Sequence, residues 1–107
     1  MIKITVIKKA EQYQGFVISG HAGYAKNDKD DIICASVSAL AVNTVNSLEA
    51  LAHCAALVEE ENGYLSCRFS NGLNSDGKLL MDSMILGMQS ICKSYGKKYT
   101  QLSFEEV

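Results

Sequence analysis

Alternating apolar and polar residues mark three short stretches of this chain as β-strands. Residues 2–6 run Ile-Lys-Ile-Thr-Val and predict a half-buried first strand. Residues 16–19 predict a second strand, and residues 12–15, Gln-Tyr-Gln-Gly, predict the turn of the hairpin that joins the two. Near the end of the chain, residues 100–104 alternate in the same way and predict a short last strand.

Two longer segments carry the 3.6-residue period of α-helices. The first runs from residue 32 to about residue 53. Its first half is apolar nearly all round, so this helix is central to the core or packs against a second subunit. The second begins with Ser75-Asp76 as its cap, runs to about Tyr95 and ends at Gly96. The stripes predicted to face the core are Ile33, Val37, Leu40, Ala41, Leu48, Leu51 and Ala52 in the first helix, and Leu80, Met84, Met88, Ile91 and Tyr95 in the second.

A second β-hairpin is predicted between the two helices. Residues 55–61 and 64–70 have the composition of strands and flank Asn62-Gly63, and Asn-Gly between two such runs is the strongest short hairpin signal. The predicted order of elements is therefore β-β-α-β-β-α-β. This order predicts a single α+β domain over residues 1–107, with helices packed on a mixed or antiparallel sheet.

Length, charge and cysteine spacing narrow the possible functions. The chain has 107 residues and a net charge of −2, which is typical of one globular domain and argues against nucleic acid as a direct partner. No apolar run approaches the ~20 residues of a membrane span. The first residues have the pattern of a strand rather than of a signal peptide, so we expect a cytoplasmic protein with no membrane partner. The four cysteines form no CxxC pair, so we expect free thiols, no metal site and no cofactor.

One histidine and one cysteine flank a short polar loop in the stretch GHAGYAKNDKDDIICASVSAL. His21 follows the second predicted strand, and Cys34 lies in the first turn of the first helix, for which Asp31 is the expected N-cap. A strand end and the start of the next helix meet at the same edge of a layered domain, which predicts a Cys–His pair. The helix N-terminus favours the thiolate of Cys34, and His21 can act as the base and later as the proton donor.

Neighbouring residues are candidates for supporting roles. Ser38, one helical turn after the cysteine, can hydrogen-bond the thiolate or a substrate amide. Gly20 and Gly23 bracket the histidine and permit unusual backbone angles or the close approach of a substrate backbone. The N–H groups of residues 32–35 can stabilise an oxyanion where the cap does not engage them. Asp31 either only caps the helix or also orients the histidine, and the cap is favoured.

Simpler interpretations of these residues remain open. A cysteine on an apolar helix is most often a small core residue, and a histidine at a strand end is often a loop residue without a chemical role. We expect Cys54, Cys67 and Cys92 to be core residues, and His53 to interact with the negative end of the first helix. The acidic residues within 28–31 do not match the spacing of a calcium loop.

The stretch resembles the bacterial ribosomal-processing cysteine protease family, called Prp. The motif of that family is G-H-A, a loop and then D-[IV]-[IV]-C-A-x-x-S. The chain matches it at Gly20-His21-Ala22, at Asp31-Ile32-Ile33-Cys34-Ala35 and at Ser38. Chain length and element order fit over the whole domain. One departure is that residues 25–30 contain no glycine, whereas members of the family often carry glycines there.

The resemblance implies a homodimeric cytoplasmic endopeptidase with His21 as the base, Cys34 as the nucleophile and Ala22 beside them. It implies a substrate, the precursor of large-subunit ribosomal protein number twenty-seven, which loses a short N-terminal extension ending in apolar and aromatic residues. The loop, residues 22–30, is implied to be mobile and to order over substrate. The acidic residues 59–61 could steer such a basic substrate or be a solvated strand end.

Two other functions are compatible with the same stretch. One is a non-enzymatic, ribosome-associated binding module, in which the Gly-His-Ala-Gly segment is a recognition surface and Cys34 belongs to the core. The other is a thiol redox sensor built on Cys34, for which the sequence offers no resolving cysteine close by.

Overall fold

The computed structural model describes residues 1–23 and 31–107, and these residues form five strands and two helices. The strands are β1 (Ile2–Lys9), β2 (Gln12–Ser19), β3 (Ala56–Glu61), β4 (Tyr64–Phe69) and β5 (Thr100–Glu106), and the helices are α1 (Ile32–Ala50) and α2 (Ser75–Tyr95). The order of elements is the one predicted. The prediction of an α+β fold is confirmed.

The five strands form one mixed sheet in the order β3-β4-β2-β1-β5. Neighbouring strands are antiparallel except for β1 and β5, which run parallel. One row across the sheet pairs Leu65 with Ile18, Ile18 with Ile4, and Ile4 with Leu102. The first three of these side chains are buried and the fourth is partly buried. The core therefore lies between this face of the sheet and the two helices.

Each helix contributes a stripe of buried residues to this core. The buried residues are Ile33, Val37, Ala41, Thr44 and Leu48 in α1, and Gly77, Met81, Met84, Ile85 and Met88 in α2. The predicted stripe was wrong at Leu51, which caps the C-terminus of α1 and is 68% exposed. The helices pack together where Leu40 contacts Gly87, since a Cβ at position 87 would lie 2.8 Å from the Leu40 side chain.

The turn of the first hairpin lies earlier than predicted. Ala10 and Glu11 form it, with φ of 49° and 65°, the positive values that suit the twist of a two-residue hairpin turn. Gly15, predicted to lie in the turn, is a buried strand residue. A Cβ at this position would lie 2.2 Å from the carbonyl oxygen of Cys67, so β4 can approach β2 only because residue 15 is glycine.

Asn74 caps α2, and the prediction of a Ser75-Asp76 cap was wrong. The Asn74 side-chain oxygen accepts the N–H of Gly77 at 2.8 Å, and its NH₂ group donates to the carbonyl of Ala52, also at 2.8 Å. Because an amide side chain both accepts and donates, it can cap α2 and at the same time fasten α2 to the chain that follows α1. This explains why asparagine, and not the next two residues, forms the cap.

Within the part of the chain that the structure describes, α1 is long and apolar enough to cross a membrane by length and composition alone. The prediction that no apolar segment is long enough for a membrane span was wrong by this measure, because the polar residues of α1 up to Ser47 are uncharged. Core helices pass the same test. The buried face of α1 packs in the core against the sheet and α2.

Candidate active site

A cavity of about 510 Å³ opens where β2 ends and α1 begins. His21, directly after β2, and Cys34, in the first turn of α1, both line it. Ser38 lines the same cavity one helical turn further along α1. The structure thus brings together the histidine, the cysteine and the serine that the sequence analysis singled out.

Asp31 is the N-cap of α1, as predicted. Its Oδ1 accepts the backbone N–H of Ile33 at 3.1 Å and that of Cys34 at 3.0 Å, and the residue is only 2% exposed. These bonds place Cys34 at the third helical position, at the end of α1 where the helix dipole is positive. The aspartate therefore positions the cysteine through the cysteine's own backbone.

The cap also limits the oxyanion site suggested from the sequence. The N–H groups of Ile33 and Cys34 bond to the Asp31 side chain, and the N–H of Ala35 bonds to the Asp31 carbonyl at 3.1 Å. Of residues 32–35, Ile32 alone has an N–H that takes part in none of these three bonds. The first turn of α1 is thus a much poorer source of oxyanion donors than the sequence analysis expected.

The backbone of Ala22 contacts the cysteine sulfur directly. The Ala22 N–H donates to Cys34 Sγ at 3.3 Å, and Ala22 is buried. A backbone N–H that points at a sulfur favours the charged thiolate over the neutral thiol. Sequence reasoning did not assign this donor, because any residue other than proline carries a backbone N–H and no residue type signals it.

Three contacts hold the backbone around His21 in place. The N–H of Gly20 donates to the carbonyl of Gly63 at 2.8 Å, and the amino group of Met1 donates to the His21 carbonyl at 2.5 Å. The third contact is the hydrogen bond from the Ala22 N–H to Cys34 Sγ. Gly20 and Gly23 have φ of 94° and 68°, so the prediction of unusual backbone angles on both sides of the histidine is confirmed.

The β3–β4 hairpin forms one wall of the cavity, which the sequence did not predict. Glu60, Glu61, Asn62 and Gly63 all line it. Glu60 pairs with Leu65, whose side chain is in the core, so Glu60 faces the helix side of the sheet. Because successive strand residues point to opposite faces, the preceding glutamate faces away from the cavity.

The remaining cysteines have environments that differ from that of Cys34. All four thiols are free, as predicted. Cys54 and Cys67 are buried in the core, and burial raises the pKa of the Cys67 thiol to about 11, which keeps it neutral near pH 7. Cys92 is partly buried on α2 and borders a different cavity. Cys34 is the only cysteine of residues 1–23 and 31–107 that lines the cavity with His21.

Two sequence-based predictions fall on residues 24–30 and lie outside the described residues. They are the closing of the loop over substrate and the exclusion of a calcium loop. Among residues 1–23 and 31–107, no group of three or more His, Cys, Asp or Glu side chains has the arrangement of a metal site. α1 ends at Ala50 rather than near residue 53, and His53 lies beyond this end with a positive φ of 55°.

Comparison with known proteins agrees with this arrangement. Residues 1–100 match the family model described as cysteine protease Prp. The ribosomal processing cysteine protease Prp of Bacillus subtilis (strain 168) is 28% identical over 102 residues, and the match covers 89% of this chain and 90% of the relative. The chain belongs to the cysteine protease Prp family and is a cysteine protease.

Solved structures share the fold over the whole domain. The ribosomal processing protease Prp from Staphylococcus aureus, in complex with a covalently linked product peptide, has a TM-score of 0.90 and 22% identity, covering 98% of this chain and 100% of that one. A protein from Streptococcus mutans has a TM-score of 0.79 and 26% identity, covering 100% and 96%. These similarities agree with the two helices packed on a five-stranded mixed sheet.

Proposed function

We propose that this member of the cysteine protease Prp family cleaves its substrate with Cys34 as the nucleophile and His21 as the general base. The observation that carries the proposal is the bond from the Ala22 N–H to Cys34 Sγ. This bond holds the residue next to His21 in contact with the sulfur, so that the histidine and the cysteine border one cavity. The membership of a protease family favours this function over a non-enzymatic binding module.

The proposed reaction has two stages. His21 accepts the proton of the Cys34 thiol, and the thiolate attacks the carbonyl carbon of the scissile peptide bond to form a C–S bond. As the C–N bond breaks, His21 returns its proton to the leaving amine. A water molecule, deprotonated by His21, then attacks the thioester, releasing the carboxylate product and restoring the thiol.

We propose as substrate the precursor of large-subunit ribosomal protein number twenty-seven, from which a short N-terminal extension is removed. The cavity supports a peptide with an apolar part and a basic part. Its floor is apolar, and its hairpin wall carries the Glu60 carboxylate. The floor residues are Ile18, Val37, Ala41 and Leu65. An extension ending in apolar residues, joined to a basic ribosomal protein, complements both parts.

Cleavage of a synthetic peptide tests the proposal. The peptide carries the extended N-terminus of the ribosomal-protein precursor, and mass spectrometry of the products reports the bond that is cut. We expect Cys34→Ala to reduce the rate by a factor of roughly 10³ or more. Cys92→Ser is the matched control, because Cys92 is also partly buried, and it should keep wild-type activity. Undiminished cleavage by Cys34→Ala would exclude Cys34 as the nucleophile.

The proposed enzyme acts as a homodimer in the cytoplasm, where a newly made ribosomal protein would meet it. Both helices carry apolar side chains on their outer surfaces, which supports self-association. Leu79 and Leu86 of α2 are each 67% exposed, and Ile32 of α1 is also exposed. Analytical ultracentrifugation of the wild-type chain and of Leu86→Lys tests the dimer, and a monomeric wild-type chain at micromolar concentration would contradict it.

A further inference from the structure

We infer that Gly63, in the turn between β3 and β4, is a positioning residue for the His21 imidazole. The inference rests on the proposed function, in which His21 is the base. A Cβ at position 63 would lie 2.7 Å from His21 Nε2, 3.3 Å from its Cε1 and 3.4 Å from its Cδ2. The Nε2 end of the ring therefore occupies the space that any side chain at this position would take.

The turn cannot move away from the histidine to relieve such a clash. The carbonyl of Gly63 accepts the N–H of Gly20 at 2.8 Å, and Tyr64 pairs with Ser19 in the antiparallel ladder between β4 and β2. These contacts fix the distance between the turn and the segment that carries His21. A side chain at position 63 must therefore be accommodated by the ring.

The His21 ring can make that adjustment, which separates the effect on activity from the effect on stability. Nε2 is at the far end of an exposed side chain, so rotation of the ring relieves the contact with little loss of packing. Rotation changes the position of the ring nitrogens relative to Cys34 Sγ, and in the proposed function it is this ring that accepts the Cys34 proton. We expect a substitution at Gly63 to reduce catalysis and thiol activation while the fold persists.

Gly72 provides a matched control for the backbone. Gly63 has φ of 75° and Gly72 has φ of 73°, so alanine is equally strained at both positions. Among the residues that the structure describes, no atom beyond the two chain neighbours of Gly72 lies within 4 Å of a Cβ built on it. Gly63→Ala and Gly72→Ala should therefore lower the melting temperature by similar amounts, about 4–8 °C for each kcal/mol of strain. Only the first should affect the site.

The experiment measures peptide cleavage and the pH dependence of Cys34 alkylation by iodoacetamide. We expect Gly63→Ala to lower kcat at least about 10-fold, since a well-placed base contributes roughly 10² to 10⁴, and to shift alkylation to higher pH. Gly72→Ala should keep the wild-type kcat and pH profile. Gly63→Asn, with Gly72→Asn as its control, gives the same test with less backbone strain, because asparagine tolerates positive φ but still carries a Cβ.

A double-mutant cycle identifies His21 as the group through which Gly63 acts. In His21→Ala the ring is absent, so adding Gly63→Ala should change the alkylation rate no further. The inference is overturned if Gly63→Ala and Gly63→Asn keep the kcat and pH profile of their Gly72 controls. It is also overturned if Gly63→Ala slows alkylation equally with and without the imidazole. If His21→Ala itself leaves alkylation and cleavage unchanged, both the proposed dyad and the positioning role fail.

Discussion

Replacing Asp31 separates its role as a helix cap from any role in the chemistry. Asp31→Ala removes an oxygen that accepts two backbone N–H groups at 3.0 and 3.1 Å, in a residue that is 2% exposed. Loss of an N-cap costs ~0.5–2 kcal/mol, and leaving buried donors unsatisfied costs ~1–3 kcal/mol. Water can reach part of the site, because Cys34 is only partly buried. We therefore expect a loss of about 2 kcal/mol in the free energy of unfolding.

Urea unfolding followed by circular dichroism measures this loss. With a slope of ~2 kcal/mol per molar urea, the midpoint should fall by about 1 M with the slope unchanged. Asp31→Asn keeps a side-chain oxygen in the same place, so it should lose less than half as much stability and retain cleavage of the substrate peptide. Asn74→Ala is the matched control, because it removes the cap of the other helix, and it should lower stability without altering Cys34 alkylation.

Two results would refute this reasoning. If Asp31→Ala unfolds at the same urea concentration as the wild type, the two N–H bonds contribute nothing to stability. If Asp31→Asn is as stable as the wild type but inactive, the carboxylate charge has a role in the reaction, such as orienting His21. The comparison thereby decides between the two roles that the sequence left open for this residue.

Two further predictions concern the charge of the β3–β4 hairpin wall and the pH dependence of stability that arises from a hydrogen bond of β2. Glu60→Gln should raise KM by a factor of roughly 2–5 for a peptide with lysines after the cleaved bond, and the increase should be smaller at high salt. Glu59 lies on the opposite face of the sheet, so an equal increase in KM for Glu59→Gln would contradict this prediction. Tyr13 donates a 2.5 Å hydrogen bond to Asp82. Burial, followed by this hydrogen bond, raises the pKa of Tyr13 to about 12. The same bond lowers the pKa of Asp82 below its usual 3.8. Tyr13→Phe should therefore cost about 1 kcal/mol at pH 7, and the difference should shrink as pH falls below 4 or rises from 10 toward 12, measured by urea unfolding at each pH.

Local sequence signals were sufficient for much of the fold. The Asn62-Gly63 hairpin, the Asp31 cap and the Gly96 helix end were predicted correctly, because each depends on residues close together in the chain. The first hairpin was misplaced because Gly15 resembles a turn residue. Its actual requirement, the approach of the Cys67 carbonyl, comes from a strand about 50 residues later, and only the folded sheet reveals it.

For the site, too, the sequence predicted what depends on the order of elements and missed what depends on strand pairing. His21 and Cys34 line one cavity because a strand end and the following helix start share an edge of the domain, which the order of elements predicts. The wall formed by the β3–β4 hairpin depends on β4 pairing with β2 rather than with β1, and no local pattern specifies that choice. The contact of Gly63 with the histidine follows from this pairing, so it was beyond sequence reasoning.

The placement of the site also explains why stability and activity should respond to different residues. In the described part of the chain, the cavity is lined by β1, β2, α1 and the β3–β4 hairpin, and by no residue of α2 or β5. The bonds of Asn74 and the Tyr13–Asp82 pair fasten α2 to the rest of the domain at positions that do not border the cavity. Substitutions there should lower the free energy of unfolding but leave the Cys34 environment intact as long as the protein is folded. Substitution of Gly63 should have the opposite effect. The clash of a side chain at position 63 is relieved by movement of His21, which the proposed chemistry needs and the stability of the fold does not.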